Sequence, residues 1–346
     1  MAYTDIDKSD DYFNTVLYTG NSSTQAIAVG FQSDWVWCKP RTNTGSHFLS
    51  DSVRGGTKVI VSNTTATEIT RSNNIQSFTS TGYTLGADGT SNYNGDATVS
   101  WNWKAGTSFT NDASATGIGT IDSTGSVNQD AGFSIVSFDL SGQSGNETIK
   151  HGLNSAPKVI ITKRLSGGAG DWTSYFGAIG NSYLVLNNTS AAATSSSFMN
   201  NTAPTSSVFT VGDPSWWGAN PFIAYCFSEK KGYSKFGSYT GNGSSNGTFV
   251  YTGFKPAFML FKRTDGATSW IIMDNKRNTY NPAGLSLFPN SSDAEYNYGD
   301  RIDILSNGFK NRNSGSDFNA SGGSYIYMAF AENPFVTSTG VPACAR

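Results

Sequence analysis

The distribution of apolar and polar residues repeats three times along the chain. One signature is a short apolar run that a glycine introduces and a lysine closes, at residues 30–39, 152–163 and 253–262. Short apolar runs between turn residues predict β-strands. The introducing glycines lie about 122 and then about 101 residues apart, which is the period of a domain rather than of a short solenoid repeat.

Three further elements accompany each apolar run in the same order. An aromatic strand that ends in a glycine turn precedes it at residues 16–20, 135–142 and 236–241. A turn of asparagine with serine or threonine follows it at residues 63–65, 188–190 and 290–292. A second aromatic strand closes each copy at residues 99–103, 223–227 and 325–330. Matching elements in matching order predict three diverged copies of one strand-rich module.

The closing strands indicate how each copy packs. Trp101 and Trp103 lie two positions apart, as do Tyr225 and Phe227, so each pair points to one face of a sheet. Large paired rings are typical of a sandwich core, although the same pattern also suits a sugar-stacking platform. With room for about seven or eight short strands per copy, we expect an all-β fold of three tandem β-sandwich modules, each jelly-roll-like or lectin-like.

The repeats divide the chain into six expected segments. They are an N-terminal arm (1–10), module 1 (11–104), a Ser/Thr/Gly-rich linker (105–129), module 2 (130–231), module 3 (232–335) and a C-terminal tail (336–346). The linker explains the longer first spacing and has room for one short strand at residues 118–121. Modules 2 and 3 abut at residues 230–232, which predicts a fixed mutual orientation there and a looser one for module 1.

Composition agrees with the all-β class. Only 14% of the residues are charged, against about 25% in an average soluble protein, and the chain is rich in glycine, serine, threonine and asparagine. Those residues favour turns and strands over helices. The net charge is −2 and the isoelectric point is about 5.7. Because no basic stripe accompanies the short charge run at residues 229–231, no nucleic-acid partner is predicted.

Membrane insertion and secretion are not expected either. No stretch of the chain approaches the ~20 apolar residues of a membrane span. The N-terminus lacks a basic region followed by an apolar core, so the sequence predicts no secretory signal. We therefore expect a protein that is synthesised in a cytoplasm and either stays soluble there or leaves by another route.

Cysteine and histidine offer neither a disulfide framework nor a metal site. Cys38 and Cys226 sit in apolar runs and are expected to be small buried hydrophobic residues, while Cys344 lies in the tail without a local partner. His47 and His151 are the only histidines, and their spacing does not suit metal ligands. Both are expected to be surface or loop residues, and neither a metal nor a cofactor is predicted.

Motifs that resemble catalytic ones lack the partners that catalysis needs. Residues 243–247 match the nucleophile-elbow pattern, but they lie in a predicted hairpin and no histidine follows them. Glu229 and Glu332 hold equivalent repeat positions, which places them in separate modules rather than in a glycosidase pair, and we expect them to be solvent-facing strand ends. Residues 51–56 predict a turn with a local ion pair. No catalytic residue is assigned, and the chain is not expected to be an enzyme.

The loop at residues 213–221 is the candidate contact surface. It carries Trp216 and Trp217 between proline and glycine residues, and adjacent side chains in an extended segment point to opposite faces. We therefore expect at least one of the two rings to be poorly buried. Three roles remain open for the pair: packing back onto its own module, anchoring a protein–protein contact, or stacking on a glycan. Tryptophan is enriched among interface anchors.

Several short motifs carry a resemblance to one family. They are YTGN (18–21), DWVW (34–37), DSVRG (51–55), WNWKA (101–105) and AFAE (329–332). In these motifs the chain resembles, over nearly its whole length, the β-rich, internally repeated virion proteins that tailed bacteriophages of marine bacteria encode, including cyanophages. The resemblance implies a structural protein of the virion and brings no catalytic residue with it.

The expected function is therefore a non-enzymatic virion surface protein that decorates the capsid or forms part of a tail fibre. Expected partners are other virion proteins and further copies of the same chain, and the expected location is the virion. The alternative is a receptor- or glycan-binding adhesin of the phage tail that contacts a glycan of the host surface. A polysaccharide depolymerase is disfavoured, because the sequence shows neither a β-helix period nor clustered carboxylates.

Overall fold

The computed structural model describes residues 3–343, and its regular structure is almost entirely β. The prediction of an all-β protein is confirmed, and the strands pair in antiparallel sheets. Helical structure in these residues is confined to single turns. They are Ala113–Thr116 (α1), Ser196–Met199 (α2), Pro214–Trp217 (α3) and the 3-10 turns Ser9–Asp11 and Gly177–Ile179.

The first third of the chain folds into two sheets. Its strands are Phe13–Thr19 (β1), Gln25–Ala28 (β2), Trp35–Pro40 (β3), Phe48–Asp51 (β4), Lys58–Val61 (β5), Ile69–Thr70 (β6), Ile75–Thr79 (β7), Gly82–Leu85 (β8) and Ala97–Trp103 (β9). Six of them form a sheet in the order β1-β9-β3-β4-β5-β6, and the other three pair as β2-β8-β7. The closing strand β9 therefore lies between the first strand and the lysine-bearing strand β3.

The middle of the chain repeats this arrangement with two more strands in its larger sheet and one fewer in its smaller sheet. Its strands are Thr107–Asn111 (β10), Ser123–Asn128 (β11), Phe133–Asp139 (β12), Glu147–Lys150 (β13), Val159–Arg164 (β14), Trp172–Phe176 (β15), Ser182–Val185 (β16), Ala193–Thr194 (β17), Val208–Val211 (β18) and Pro221–Phe227 (β19). One sheet has the order β10-β11-β12-β19-β14-β15-β16-β17, and β13 pairs with β18.

Residues 105–129 differ from the expected linker. They supply β10 and β11 to the edge of the middle sheet, and the helical turn α1 lies between these two strands. The strand expected at residues 118–121 does not form. Serine and threonine suit an exposed edge strand as well as a linker, so composition could not distinguish the two.

The last third again folds into two sheets. Its strands are Ser234–Thr240 (β20), Phe249–Tyr251 (β21), Phe254–Arg263 (β22), Ile271–Asp274 (β23), Ala283–Ser286 (β24), Tyr296–Leu305 (β25), Gly308–Asn311 (β26) and Ser324–Pro334 (β27). The sheet orders are β20-β27-β22-β23 and β21-β26-β25-β24. The glycine–serine stretch at residues 243–247 is a loop between the strands β20 and β21, without a following helix.

One pairing order is common to the three segments. A first strand pairs with the closing strand, the closing strand with the lysine-bearing strand, and that strand with the next, in β1-β9-β3-β4, β12-β19-β14-β15 and β20-β27-β22-β23. The registers agree, because each repeat lysine lies opposite an equivalent apolar residue: Lys39 opposite Val99, Lys163 opposite Ile223 and Lys262 opposite Ile326. We call these units the first, second and third inner sheets.

The inner sheets enclose one shared core rather than three separate cores. The equivalent closing-strand rings of Trp103, Phe227 and Phe330 are buried and contact one another. Their ring centroids lie 6.4 Å (Trp103 to Phe227), 5.7 Å (Trp103 to Phe330) and 5.8 Å (Phe227 to Phe330) apart. Trp101 and Tyr225 belong to the same core. The paired aromatics therefore pack in a core as expected, but all three sheets contribute to it, and none of these rings is available to stack on a sugar.

The opposite face of each inner sheet is also buried. Outer sheets cover it: β2-β8-β7 the first, β13-β18 the second and β21-β26-β25-β24 the third. Val36, Ile160 and Met259 point to these outer clusters, while both sequence neighbours of each point to the shared core. Burial on both faces explains why these strands are continuous apolar runs rather than alternating ones.

Hydrogen bonds between the segments close a ring. Three equivalent residues each donate a backbone N–H to an asparagine side chain: His47 to Asn63, Trp172 to Asn187 and Trp270 to Asn290. Their side-chain ring nitrogens each lie 2.9 Å from a carbonyl oxygen of another segment: His47 from Phe288, Trp172 from Val61 and Trp270 from Val185. The contacts thus run from the first segment to the third, from the second segment to the first, and from the third segment to the second. The looser orientation expected for module 1 is therefore wrong.

The expected arm and tail pack against this body. Ile6 is buried in the shared core, and Asp5 donates its backbone N–H to the carbonyl oxygen of Lys231 at 3.0 Å. The Asp7 carboxylate accepts hydrogen bonds from the backbone N–H and the hydroxyl of Ser338. Residues close to the two ends of the chain therefore contact each other.

Candidate functional site

Both histidines lie in loops, as expected, but they are buried rather than on the surface. His47 Nδ1 accepts a hydrogen bond from Trp37 Nε1 at 2.9 Å, which makes its Nε2 the donor in the ring of hydrogen bonds. His151 Nδ1 accepts from the Leu153 backbone N–H at 3.1 Å, and its Nε2 donates to the Thr205 carbonyl oxygen at 3.2 Å. Burial lowers the pKa of His47 well below its usual value and that of His151 to about 4. Both imidazoles are therefore neutral structural groups.

Acidification is expected to destabilise the fold through these histidines. Between about pH 6.5 and pH 4 the unfolded chain binds protons at His151 that the folded chain does not, so stability falls as the pH falls through this window. For His151 alone, the free energy of unfolding should drop by about 2 kcal/mol between pH 7 and pH 5. Denaturant titrations at both pH values measure the drop. His151→Gln should show a smaller pH-dependent loss, and an equal loss would contradict the assignment.

The described part of the chain offers no site for a metal ion or for a reactive thiol. Within residues 3–343, no group of three or more His, Cys, Asp or Glu side chains could hold a metal ion. Cys38 and Cys226 are buried as expected, and burial raises the pKa of both thiols, that of Cys38 to about 12. Cys344 lies outside the described residues. Across residues 3–343, no helix is long and apolar enough to cross a membrane.

A buried ion-pair network joins the first and second segments. Arg54 contacts Asp51 at 2.6 Å and Glu68 at 3.0 Å, so the local ion pair predicted at residues 51–56 is confirmed. Asp51 also accepts a hydrogen bond from the Tyr225 hydroxyl of the second segment at 2.8 Å. The Asp51 carboxylate is thus held by two partners inside the protein and does not face a substrate.

An equivalent network joins the third and first segments. Arg277 contacts Asp274 at 2.6 Å and Glu295 at 2.8 Å, and Asp274 accepts from Trp101 Nε1 of the first segment at 3.0 Å. Arg41, also of the first segment, contacts Glu295 at 2.7 Å. Burial would raise the pKa of Glu295, but the guanidinium groups of Arg41 and Arg277 outweigh it and lower that pKa.

The third of these equivalent junctions is apolar. Register places Phe176 of the second segment where the other segments have Asp51 and Asp274. It also places Met328 of the third segment where the others have Trp101 and Tyr225. Phe176 and Met328 both belong to the shared core. At each junction, the two facing residues therefore either form a hydrogen bond or are both apolar. This is expected of side chains that pack the segments against one another.

The three repeat lysines are buried without an ion pair in the described residues. Their Nζ atoms donate to backbone carbonyl oxygens: Lys39 to Pro40 at 2.7 Å, Lys163 to Gly170 at 2.5 Å and Lys262 to Arg263 at 2.7 Å. Burial lowers the pKa of each to about 8. An amine with such a pKa suits a base or a nucleophile. All three lysine residues are 0% exposed, however, so their amines cannot contact a substrate.

Glu229 and Glu332 are half-buried rather than fully solvent-facing. Glu229 accepts a hydrogen bond from the Phe236 backbone N–H at 2.7 Å. Glu332 lies within the long closing strand β27 and contacts Lys255 at 2.6 Å. Each carboxylate therefore has a partner from its own neighbourhood, and the structure does not bring the two together as a catalytic pair.

The two tryptophans of the loop at residues 213–221 have different surroundings. Both lie on α3. Trp217 is buried, stacks against Phe198 with centroids 5.5 Å apart and donates its Nε1 to the Phe198 carbonyl oxygen at 2.8 Å. Trp216 is 37% exposed and packs edge-on against Tyr183 at 5.3 Å. One ring is thus poorly buried, as expected, and only Trp216 is placed to make an external contact.

The third segment also carries a groove that no sequence motif indicated. It has a volume of about 1010 Å³ and lies beside Glu332, the loop after β23 and the turn between β25 and β26. Its lining is mainly polar and includes Lys255, Lys276 and Asn307 together with Tyr280. Tyr280 is 85% exposed. The groove and the Trp216 surface are candidate binding sites of the chain.

Comparison with known proteins identifies a family but no activity. Residues 8–334 match the family model described as Domain of unknown function (DUF7483). No match is found among curated proteins or among solved structures. The family description names no substrate, partner or catalytic residue, so it adds no functional residue to those placed above.

Proposed function

We propose that this chain, which belongs to the DUF7483 family, is a non-enzymatic structural protein on the surface of a bacteriophage virion. It decorates the capsid or forms part of a tail fibre, and its three segments are diverged copies of one β-sandwich module. The shared core of the three inner sheets is the observation that carries this proposal. A body closed around one core resists local opening, which suits a particle exterior.

The state of the buried polar groups supports a non-enzymatic role. Asp51 and Asp274 bind arginines, and both histidines have their two ring nitrogens hydrogen-bonded. The repeat lysines donate to backbone carbonyl oxygens. A general acid, base or nucleophile needs a titratable group within reach of a substrate. These groups instead face other parts of the same chain.

Purified virions provide the direct test of this function. Mass spectrometry of gradient-purified particles of the encoding phage should detect the chain at many copies per particle. Immunogold labelling should then place it on the outside of the head or of the tail. Particles that contain their other structural proteins but lack this chain would contradict the proposal.

Assembly is proposed to use the exposed Trp216 ring. Symmetric assemblies reuse one patch at every contact, and tryptophan is a frequent anchor of such patches. Trp216→Ala should weaken self-association or particle binding by about 2 kcal/mol and change the free energy of unfolding by less than about 1 kcal/mol. Sedimentation equilibrium and thermal melting measure the two effects.

Trp217→Ala is the matched control for Trp216→Ala. Trp217 is buried and hydrogen-bonded, so its removal should lower the free energy of unfolding by about 3–5 kcal/mol. If Trp216→Ala instead lowers the melting temperature as much as Trp217→Ala and leaves association unchanged, Trp216 is a packing residue. The proposed contact would then be wrong.

A receptor- or glycan-binding adhesin of the phage tail is the second candidate function. Exposed aromatic side chains on the third segment favour it: Tyr251 is 60%, Tyr280 85% and Tyr296 57% exposed. Tyrosine is enriched at recognition surfaces because its ring combines an apolar face with a hydroxyl group. Fluorescently labelled chain should bind host cells and should not bind cells stripped of surface polysaccharide. Equal binding to both would contradict this candidate.

A further inference from the structure

We propose that the groove of the third segment binds an acidic oligosaccharide, with Tyr280 as the residue that stacks on a sugar ring. This inference rests on the second proposed function, glycan binding, and names its site and its ligand class. It follows from the origin of the groove, the rigidity of its loop and the chemistry of its lining.

The loop that carries Tyr280 is an addition to the repeated scaffold. Arg54 and Arg277 occupy equivalent positions, as do Asn63 and Asn290. Nine positions separate Arg54 from Asn63 and thirteen separate Arg277 from Asn290, so the third segment has four extra residues here. Tyr280 lies within this longer stretch. Insertions in one copy of a repeated unit map to loops and are frequent sites of binding.

Side-chain amides hold this longer loop in place on both sides of Tyr280. Asn278 is buried, and its amide makes four hydrogen bonds to neighbouring backbone groups. Asn281 donates to the Ile304 carbonyl oxygen and accepts from the Ile304 N–H, each at 2.9 Å. A loop fixed in this way loses little conformational entropy when a ligand binds.

Tyr280 is 85% exposed although its neighbours in the loop are fixed. An exposed ring on a rigid loop contributes little to folding, since it buries little apolar surface. The same ring offers a flat apolar face on which the C–H face of a sugar can lie, and a hydroxyl that can hydrogen-bond to the sugar. The position therefore suits recognition better than packing.

The rest of the lining offers hydrogen-bonding groups in place of an apolar wall. Hydroxyl and amide side chains predominate beside Tyr280, among them Thr279, Ser306 and Asn307. Such groups both donate and accept hydrogen bonds, which matches the hydroxyl groups of a carbohydrate. The volume of about 1010 Å³ is at the upper end of the range of about 300–1,000 Å³ for ligand sites. It therefore suits several linked sugars rather than one.

The charges of the groove favour an acidic sugar over a neutral one. Lys255 lies 2.6 Å from Glu332, so these two charges balance. Lys276 also lines the groove and forms no ion pair with any residue from 3 to 343. One uncompensated ammonium group attracts a carboxylate such as that of a uronic acid.

The test uses calorimetric titration of the full chain with two probes of equal length, a guluronic acid hexamer and maltohexaose. The guluronate hexamer should bind more tightly than maltohexaose. Tyr280→Ala should weaken guluronate binding about tenfold or more, because the stacking contact is lost, while Tyr280→Phe should retain it. Lys276→Gln should remove the preference for guluronate. Tyr93→Ala is the matched control, since Tyr93 is 54% exposed on the first segment and does not line the groove.

The outcomes separate this inference from the function on which it rests. Unchanged guluronate binding by Tyr280→Ala with an unchanged melting temperature would overturn the groove as the site and leave glycan binding standing. Failure of both probes, while the chain still binds host cells through surface polysaccharide, would overturn the ligand class alone. Failure of both probes together with no binding to host cells would overturn the glycan-binding function as well.

Discussion

Replacing Trp103 by alanine is expected to lower the free energy of unfolding of the whole chain by about 3–5 kcal/mol. Trp103 is 1% exposed, and its ring contacts Phe227 of the second segment and Phe330 of the third. One substitution therefore removes packing from all three inner sheets and leaves a cavity where they meet. Urea unfolding followed by far-UV circular dichroism measures the loss.

Trp103→Phe is the matched control. It gives the first segment the ring type that Phe227 and Phe330 already have at the equivalent positions. It also removes an indole N–H that is buried without a hydrogen-bond partner in the described residues. The loss should therefore stay below about 1.5 kcal/mol. A loss under about 1 kcal/mol for Trp103→Ala, or one confined to a single phase of a multiphase curve, would contradict the shared core.

Replacing Arg277 by methionine is expected to lower the free energy of unfolding by about 3–5 kcal/mol at pH 7. Arg277 and Asp274 are both fully buried, and Asp274 loses its only ion-pair partner in the described residues. Glu295 retains Arg41, so most of the loss arises at Asp274. Methionine fills similar space, which makes the loss mainly electrostatic. Urea unfolding at pH 7 measures it.

A double variant distinguishes a lost charge from lost packing. Arg277→Met leaves the Asp274 carboxylate buried without a counter-charge, so adding Asp274→Asn, which removes that charge, should restore part of the lost stability. Arg263→Met is the surface control, because the Arg263–Asp265 pair is partly exposed and should contribute less than about 1 kcal/mol. Equal losses for Arg277→Met and Arg263→Met would contradict the account.

The repeated strands were predictable because their signals are local. The apolar runs that end in Lys39, Lys163 and Lys262 correspond to strands in equivalent sheet positions. The closing aromatic strands lie beside them, as the order of the elements suggests. Turn residues and apolar runs act over a few positions, so a sequence reports them directly.

The shared core was not predictable from the same patterns. Paired rings indicate that one face of a strand is buried, but they do not indicate which segment covers that face. Trp103, Phe227 and Phe330 lie more than 100 positions apart in sequence and meet only in the folded chain. The burial of His47 was missed for the same reason, because its carbonyl partner, Phe288, belongs to the third segment.

The groove left a weaker signal in the sequence. Tyr280 belongs to no repeat element, and the polar residues around it are typical of any surface loop. The signal that could have revealed it is the greater length of the third copy between its arginine and its asparagine turn. Reading that length as an insertion requires residue-level alignment of the copies, which the hydrogen bonds of Asn63 and Asn290 provide.

Scanning calorimetry of the intact chain tests the central claim most directly, namely that three segments form one body around one core. If they do, heating should give a single transition whose calorimetric and van't Hoff enthalpies agree, since no segment can open without exposing the core of the others. Two or three resolved transitions, or a calorimetric enthalpy well above the van't Hoff value, would show that the segments unfold separately and would contradict the account.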